Sequence, residues 1–135
     1  MKTAVLNIES LNLKSGRESK KKYDLNERIT LALLLIGIPE HIKGYHYLYE
    51  AVKIAADSKT AVKNHITKEL YPMIAKSYGT RPSCVERAIR YAIHIAWTEG
   101  QMSHVLYDYT YNNRKKPSNG KIISLLCDKF IKLPS

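Results

Sequence analysis

Residues 71–97, YPMIAKSYGTRPSCVERAIRYAIHIAW, decide how the chain is read, because they divide into two helical patterns around a glycine and a proline. Ala75 in the first pattern and Val85, Ala88 and Ile89 in the second fall where two crossing helices must touch. Gly79 can take the positive φ that ends the first helix. Pro82 and Ser83 suit the first turn of a new helix, where proline's missing N–H is an orphan anyway. The spacing predicts a helix-turn-helix. At about 100° per residue, Val85, Ala88, Ile89, Ala92 and Ala96 form one apolar stripe along the second helix. Opposite it lie Ser83, Glu86, Arg87, Arg90 and His94. Arginine matches guanine O6 and N7 bidentately, glutamate accepts from cytosine N4, and serine serves base or phosphate, so this face fits a major groove. A mixed Arg/Glu face is equally that of an ordinary solvated helix; the turn pattern and the basic composition favour DNA.

That composition is 22 Lys and Arg against 12 Asp and Glu, a net charge of +10 and a pI near 9.6. Such a balance favours a polyanionic partner and salt-sensitive binding, with double-stranded nucleic acid first and an anionic membrane surface second. No apolar run approaches the roughly 20 residues that span a bilayer, and the longest, Leu31 to Ile36, sits too far in for a signal peptide. Cys84 and Cys127 form neither a CxxC pair nor a zinc framework, so a reducing, cytoplasmic setting is expected. At 135 residues the chain has room for one domain with an ordinary core.

Working outward towards the N-terminus, a helix is expected from about Ser58 or Thr60 through Val62, Ile66 and Leu70, with Pro72 forcing a break or a fresh start. Before it, Tyr45 to about Asp57 places Leu48, Ala51, Val52 and Ala55 at helical spacing, with Tyr45 and Tyr49 beside them. The segment IGIPEHIKGY reads as a loop in which Gly44 allows a sharp change of direction. Asp24 or Asn26 can cap a first helix through Ile29, Leu33 and Ile36, ending at Gly37. Residues 1–23 read as a basic tail or linker, in which Lys14, Arg17, Lys20, Lys21 and Lys22 are better explained as solvated than as phosphate contacts. Residues 24–135 form the domain.

Towards the C-terminus, Glu99 and Gly100 close the recognition helix, and Met102 to Leu106 make one or two turns. The turn-rich run YDYTYNNRKKPSNG carries Arg114, Lys115 and Lys116, placed either at a DNA backbone or in plain solvent. Ser118 or Asn119 can cap a last helix with Ile122, Ile123, Leu125, Leu126 and Phe130 on its apolar face. The expected architecture is all-α, a compact bundle of about five to seven helices.

Catalytic patterns are missing from this reading. The five histidines, His41, His46, His65, His94 and His104, show no HExxH or HxxxH spacing, the six glycines form no phosphate loop, and the carboxylates do not cluster with a histidine or serine. Neither an enzyme, a cofactor nor a small-molecule substrate is expected.

Three stretches carry a family resemblance. GIPEHIKGYHYL looks like GVPAHIKGY, ITKELYPMIAKSYGT like ITKxLYPxIAKxF, and SCVERAIRYAIHIAW like SxVERAIRHAIEVAW. From Ile29 to Phe130 the chain resembles the C-terminal DNA-binding effector domain of the stage-zero sporulation response regulator of endospore-forming Firmicutes. The resemblance implies recognition of TGTCGAA-like boxes, tandem pairing of two copies on DNA, and contacts to an RNA polymerase sigma factor. It implies that the recognition helix, about 83–97, keeps the family's DNA-facing Ser83, Glu86, Arg87 and Arg90. Two positions depart: Cys84 stands where the family usually has arginine, and Tyr91 where it has histidine. One lost bidentate contact is worth about 1–3 kcal/mol of discrimination, so the preferred box is expected to relax or shift. Arg81, absent from the family's usual turn, is a candidate for a compensating phosphate contact. The 23 residues ahead of the domain are too few for the family's receiver, so control by phosphorylation is not expected in this chain. The segment after Gly100 is shorter and more basic than the family's, which leaves a second reading open, an interaction protein that modulates a full-length regulator or the polymerase. Nonspecific nucleic-acid packaging is the third.

Overall fold

A computed structural model of the chain describes residues 23–57, 66–107 and 115–131. Among these residues there are six α-helices and a terminal π-helical turn, and no strand. Residues 1–22, with Lys14, Arg17, Lys20, Lys21 and Lys22, the stretch holding Ser58, Thr60, Val62 and His65, and Arg114 lie outside the described residues.

Helix α1 (Leu25–Ile36) starts at a reciprocal cap. The Asp24 carboxylate accepts from the Glu27 N–H at 2.8 Å, and the Glu27 carboxylate accepts from the Asp24 N–H at 3.0 Å. It ends as its sequence requires, with Gly37 at φ 86° and the Ile38 N–H reaching back 3.1 Å to the Leu33 carbonyl. Ile29, Ala32, Leu33 and Ile36 face the core.

Helix α2 (Lys43–Asp57) is the central element, packing most extensively against α1 and each of the helices introduced below except the short one after Gly100. Leu48, Ala51, Val52 and Ala55 are fully buried in it, as their spacing predicts, and Tyr45 and Tyr49 pack at the margin. The expected turn at Gly44 is corrected: the helix already includes this residue, and its φ is not positive. Glycine is required there for closeness instead. A Cβ would collide with the Ala88 carbonyl oxygen and stand 2.7 Å from the Ala92 Cβ.

Helix α3 (Ile66–Tyr78) corrects a second expectation, because it runs through Pro72 without a break. The proline faces solvent while Leu70, Ile74 and Ala75 are buried on the opposite side. A proline inside a helix costs about 3 kcal/mol, and burying Leu70 and Ile74 returns about 1.5–3 kcal/mol each, so packing holds the helix together. Gly79, at φ 67°, closes it through the Thr80 N–H to Ala75 carbonyl bond of 2.9 Å.

Helix α4 (Pro82–Glu99) begins with Pro82 in its first turn and buries Val85, Ile89, Ala92, Ile93 and Ala96. Ile93 extends the stripe read from the sequence, and Ala88 is only half-buried. After Gly100 comes the short α5 (Met102–Val105). Helix α6 (Asn119–Leu125) then continues as a π-helical turn (Leu126–Ile131). Ser118 caps α6 by accepting from the Lys121 N–H at 3.1 Å. The five apolar residues expected to face inward here all do, and Arg28 of α1 donates to the Ile131 carbonyl at 3.1 Å, tying the two ends of the domain together. The sequence gives no signal of the widened turn.

Candidate nucleic-acid interface

Two helices, α3 and α4, meet across the tight turn at residues 79–81, and α4 lies with its apolar stripe against α2 and α3. Its opposite face is open. Ser83, Arg87, Arg90, Tyr91 and His94 are all exposed there, Tyr91 by 56%. Ser83, Arg87 and Tyr91 follow at four-residue steps, so they form one row, with Arg90 and His94 beside it. Arg87 makes no ion pair with any described residue, which leaves its guanidinium available for a partner outside the chain.

Arg90 and Glu86 differ from Arg87. The Arg90 Nη2 donates to Glu86 Oε1 at 3.0 Å, so both side chains lean to one flank of the helix. That flank is an open notch of about 470 Å³, lined also by Tyr71, Ile93, Lys116 and the 117–120 segment. Lys116 is thereby brought beside α4, while Lys115 is exposed next to it in sequence.

Arg81 stands exposed as the residue before α4, and its carbonyl accepts from the Cys84 and Val85 N–H groups at 2.9 and 3.1 Å. Cys84 is half-buried against the turn rather than projecting with the row. A hydrogen bond with the Thr80 side chain draws its thiol pKa down. Partial burial opposes that shift, and a backbone hydrogen bond at Arg81 and the charges of Arg81 and Arg87 assist it.

Sequence reasoning missed what holds the notch together. Asn119, expected only as an alternative helix cap, turns its side chain inward and is the buried polar residue among those described. Its Nδ2 donates to the Tyr71 hydroxyl at 3.0 Å and to the Glu86 carbonyl at 3.1 Å, joining α3, α4 and α6 at one point. Burial raises the Tyr71 pKa; the Asn119 bond and the Arg90 charge oppose the shift, and the Glu86 charge adds to it. The available signal was an asparagine placed just inside a helix start, where a capping residue already precedes it.

Residues 29–130 match the family model described as "Sporulation initiation factor Spo0A C terminal". The chain belongs to this family. The match runs from inside α1 into the terminal π-helical turn and so takes in the whole helix-turn-helix and the notch. Membership in the Spo0A C-terminal family makes this a domain of DNA-binding transcription regulation in sporulation, with double-stranded DNA as the family's ligand, and not a member of an enzyme family. No helix among the described residues is long and apolar enough to cross a membrane.

Proposed function

We propose that the chain is a sequence-specific regulator that lays α4 in the major groove of TGTCGAA-like boxes in the cytoplasm, two copies binding in tandem. The observation that carries this reading is the open row Ser83, Arg87 and Tyr91, with His94 beside it, on a helix whose other side is committed to the core. A B-form major groove admits one helix, and arginine to guanine is its commonest specific contact. Arg87, central in the row and free of ion pairs with described residues, is the principal base reader. Ser83 and Arg81 take phosphates at the start of the helix, and Lys115 and Lys116 take the backbone at the notch side. Cys84 sits too close to the turn to replace the arginine usual in the family, so the box is shifted where that arginine would read.

The test is a gel shift with a TGTCGAA duplex and a scrambled duplex at physiological salt. Tighter binding to the box is expected, and equal affinity for both would refute specificity. The half-buried Cys84 also favours a second reading, in which the chain binds boxes weakly and acts on a full-length regulator or a polymerase sigma factor. Recovery of such a partner from sporulating cells without any DNA footprint would favour that reading over the first.

A further inference from the structure

We infer that Asn119 is a positioning residue for DNA binding: it holds Lys116 in register with the recognition helix, so that base reading and backbone contact act as one surface. The inference rests on the DNA-binding reading above and adds a residue and a coupling to it. Asn119 is 8% exposed, and its one amide group bridges Tyr71 of α3 and the Glu86 carbonyl of α4. Lys116 lies three residues before it, with Pro117 buried between them and Ser118 fixed by its cap to Lys121. The segment from Lys116 to Asn119 therefore has little freedom to move relative to α4 while the amide bridge stands. Lys116 and Arg90 border the same notch, and the bridging residues Tyr71, Glu86 and Asn119 line it too.

The bond to α4 costs that helix nothing. A carbonyl has two lone pairs, so Glu86 can accept from Asn119 and still accept from within its own helix. Removing the amide should leave α4, and with it the base preference, in place while freeing the Lys116 segment. A buried residue acting only on stability would not do this. It would lower the melting temperature without changing what Lys116 contributes.

A double-mutant cycle on DNA affinity separates the two cases. Lys116→Ala in the otherwise unaltered chain removes one phosphate contact, lowering the salt slope by about 0.9 and weakening binding about fivefold at 0.15 M relative to its effect at 1 M. In the Asn119→Ala background the same substitution is expected to cost less than twofold. A fivefold loss in both backgrounds overturns the inference, and so does a Lys116→Ala variant that binds like the parent. Circular dichroism checks the fold of Asn119→Ala; if that variant does not fold, Asn119→Ser, which keeps a small polar group at the helix start, takes its place in the cycle. Comparison of box and scrambled duplexes with the parent chain reports separately on the specificity reading, because the cycle can be run on any duplex that binds.

Discussion

Gly44→Ala sets two effects of opposite sign against each other at the contact that seats α4 on α2. Within a helix, alanine is favoured over glycine by about 1 kcal/mol, so propensity alone predicts a more stable protein. The structure predicts the reverse. A Cβ at position 44 would stand 2.7 Å from the Ala92 Cβ and 2.9 Å from the Ala88 carbonyl carbon, and would be closer still to the Ala88 oxygen. Two of these three atoms belong to backbone and the third to an alanine, so no rotamer change can relieve the contact. Relief requires α2 and α4 to part. Overpacking of this kind costs about 1–3 kcal/mol, and the upper end applies where neither side can yield. Set against the propensity gain, the net loss is about 2 kcal/mol. For a domain of this size that lowers the melting temperature by about 8 °C. Thermal denaturation by circular dichroism checks it, with Gly79→Ala as the comparator. At Gly79 the added Cβ meets nothing within 4 Å, and the penalty is confined to a φ of 67°. Gly44→Ala melting at or above the parent temperature would refute the close-approach account of this glycine.

Further outcomes follow from the interface. Arg87→Ala is expected to lose about 1–3 kcal/mol of discrimination between box and scrambled duplexes, read by competition gel shift; unchanged preference would remove Arg87 from the reading role. Glu86→Gln is expected to raise affinity for all duplexes about equally, because it removes a negative charge without removing a base contact; a selective loss at one base pair of the box would show that Glu86 reads a base. Thr80→Val removes the bond that favours the Cys84 thiolate. Since the thiolate is the reactive form and its pKa is drawn down in the parent, alkylation of Cys84 should reach its plateau at lower pH in the parent than in the variant. Coincident pH–rate curves would contradict the Thr80 contribution.

The elements legible in the sequence are those whose cause is local. Asp24 with Glu27 three residues on, Gly37 and Gly79 at positive φ, and the stripe Val85, Ile89, Ala92 and Ala96 each state their role within one or two turns of helix. Gly44 and Pro72 misled because a residue far away, or a face of the helix, decides them. A glycine at a helix start looks like a turn unless Ala88 and Ala92 are known to lie against it. A proline looks like a break unless its neighbours Leu70 and Ile74 are known to be buried. Asn119 was hidden for the same reason: its partners lie 48 and 33 residues away. For the reading face, sequence gave the row but not the pairing within it.

That pairing sorts the charged residues of α4 by energy. Glu86 and Arg90 are an i, i+4 pair whose side chains are 37% and 54% exposed, and pairs of that kind are worth about 0.3–0.5 kcal/mol before salt screens them. A charge-assisted hydrogen bond to a phosphate is worth about 1.5–3 kcal/mol, so a duplex can take Arg90 from Glu86 at small cost. The pair therefore does not sequester Arg90. It orients the guanidinium towards the notch, where Lys116 lies and where the Glu86 backbone is itself held by Asn119. Arg87 stands outside this cluster and closer to the middle of the open row. On the DNA-binding reading proposed above, sequence reading falls mainly to the Ser83–Arg87–Tyr91 row and backbone register to the Arg90–Lys116 flank, and Asn119 is the buried tie that keeps the two flanks in step.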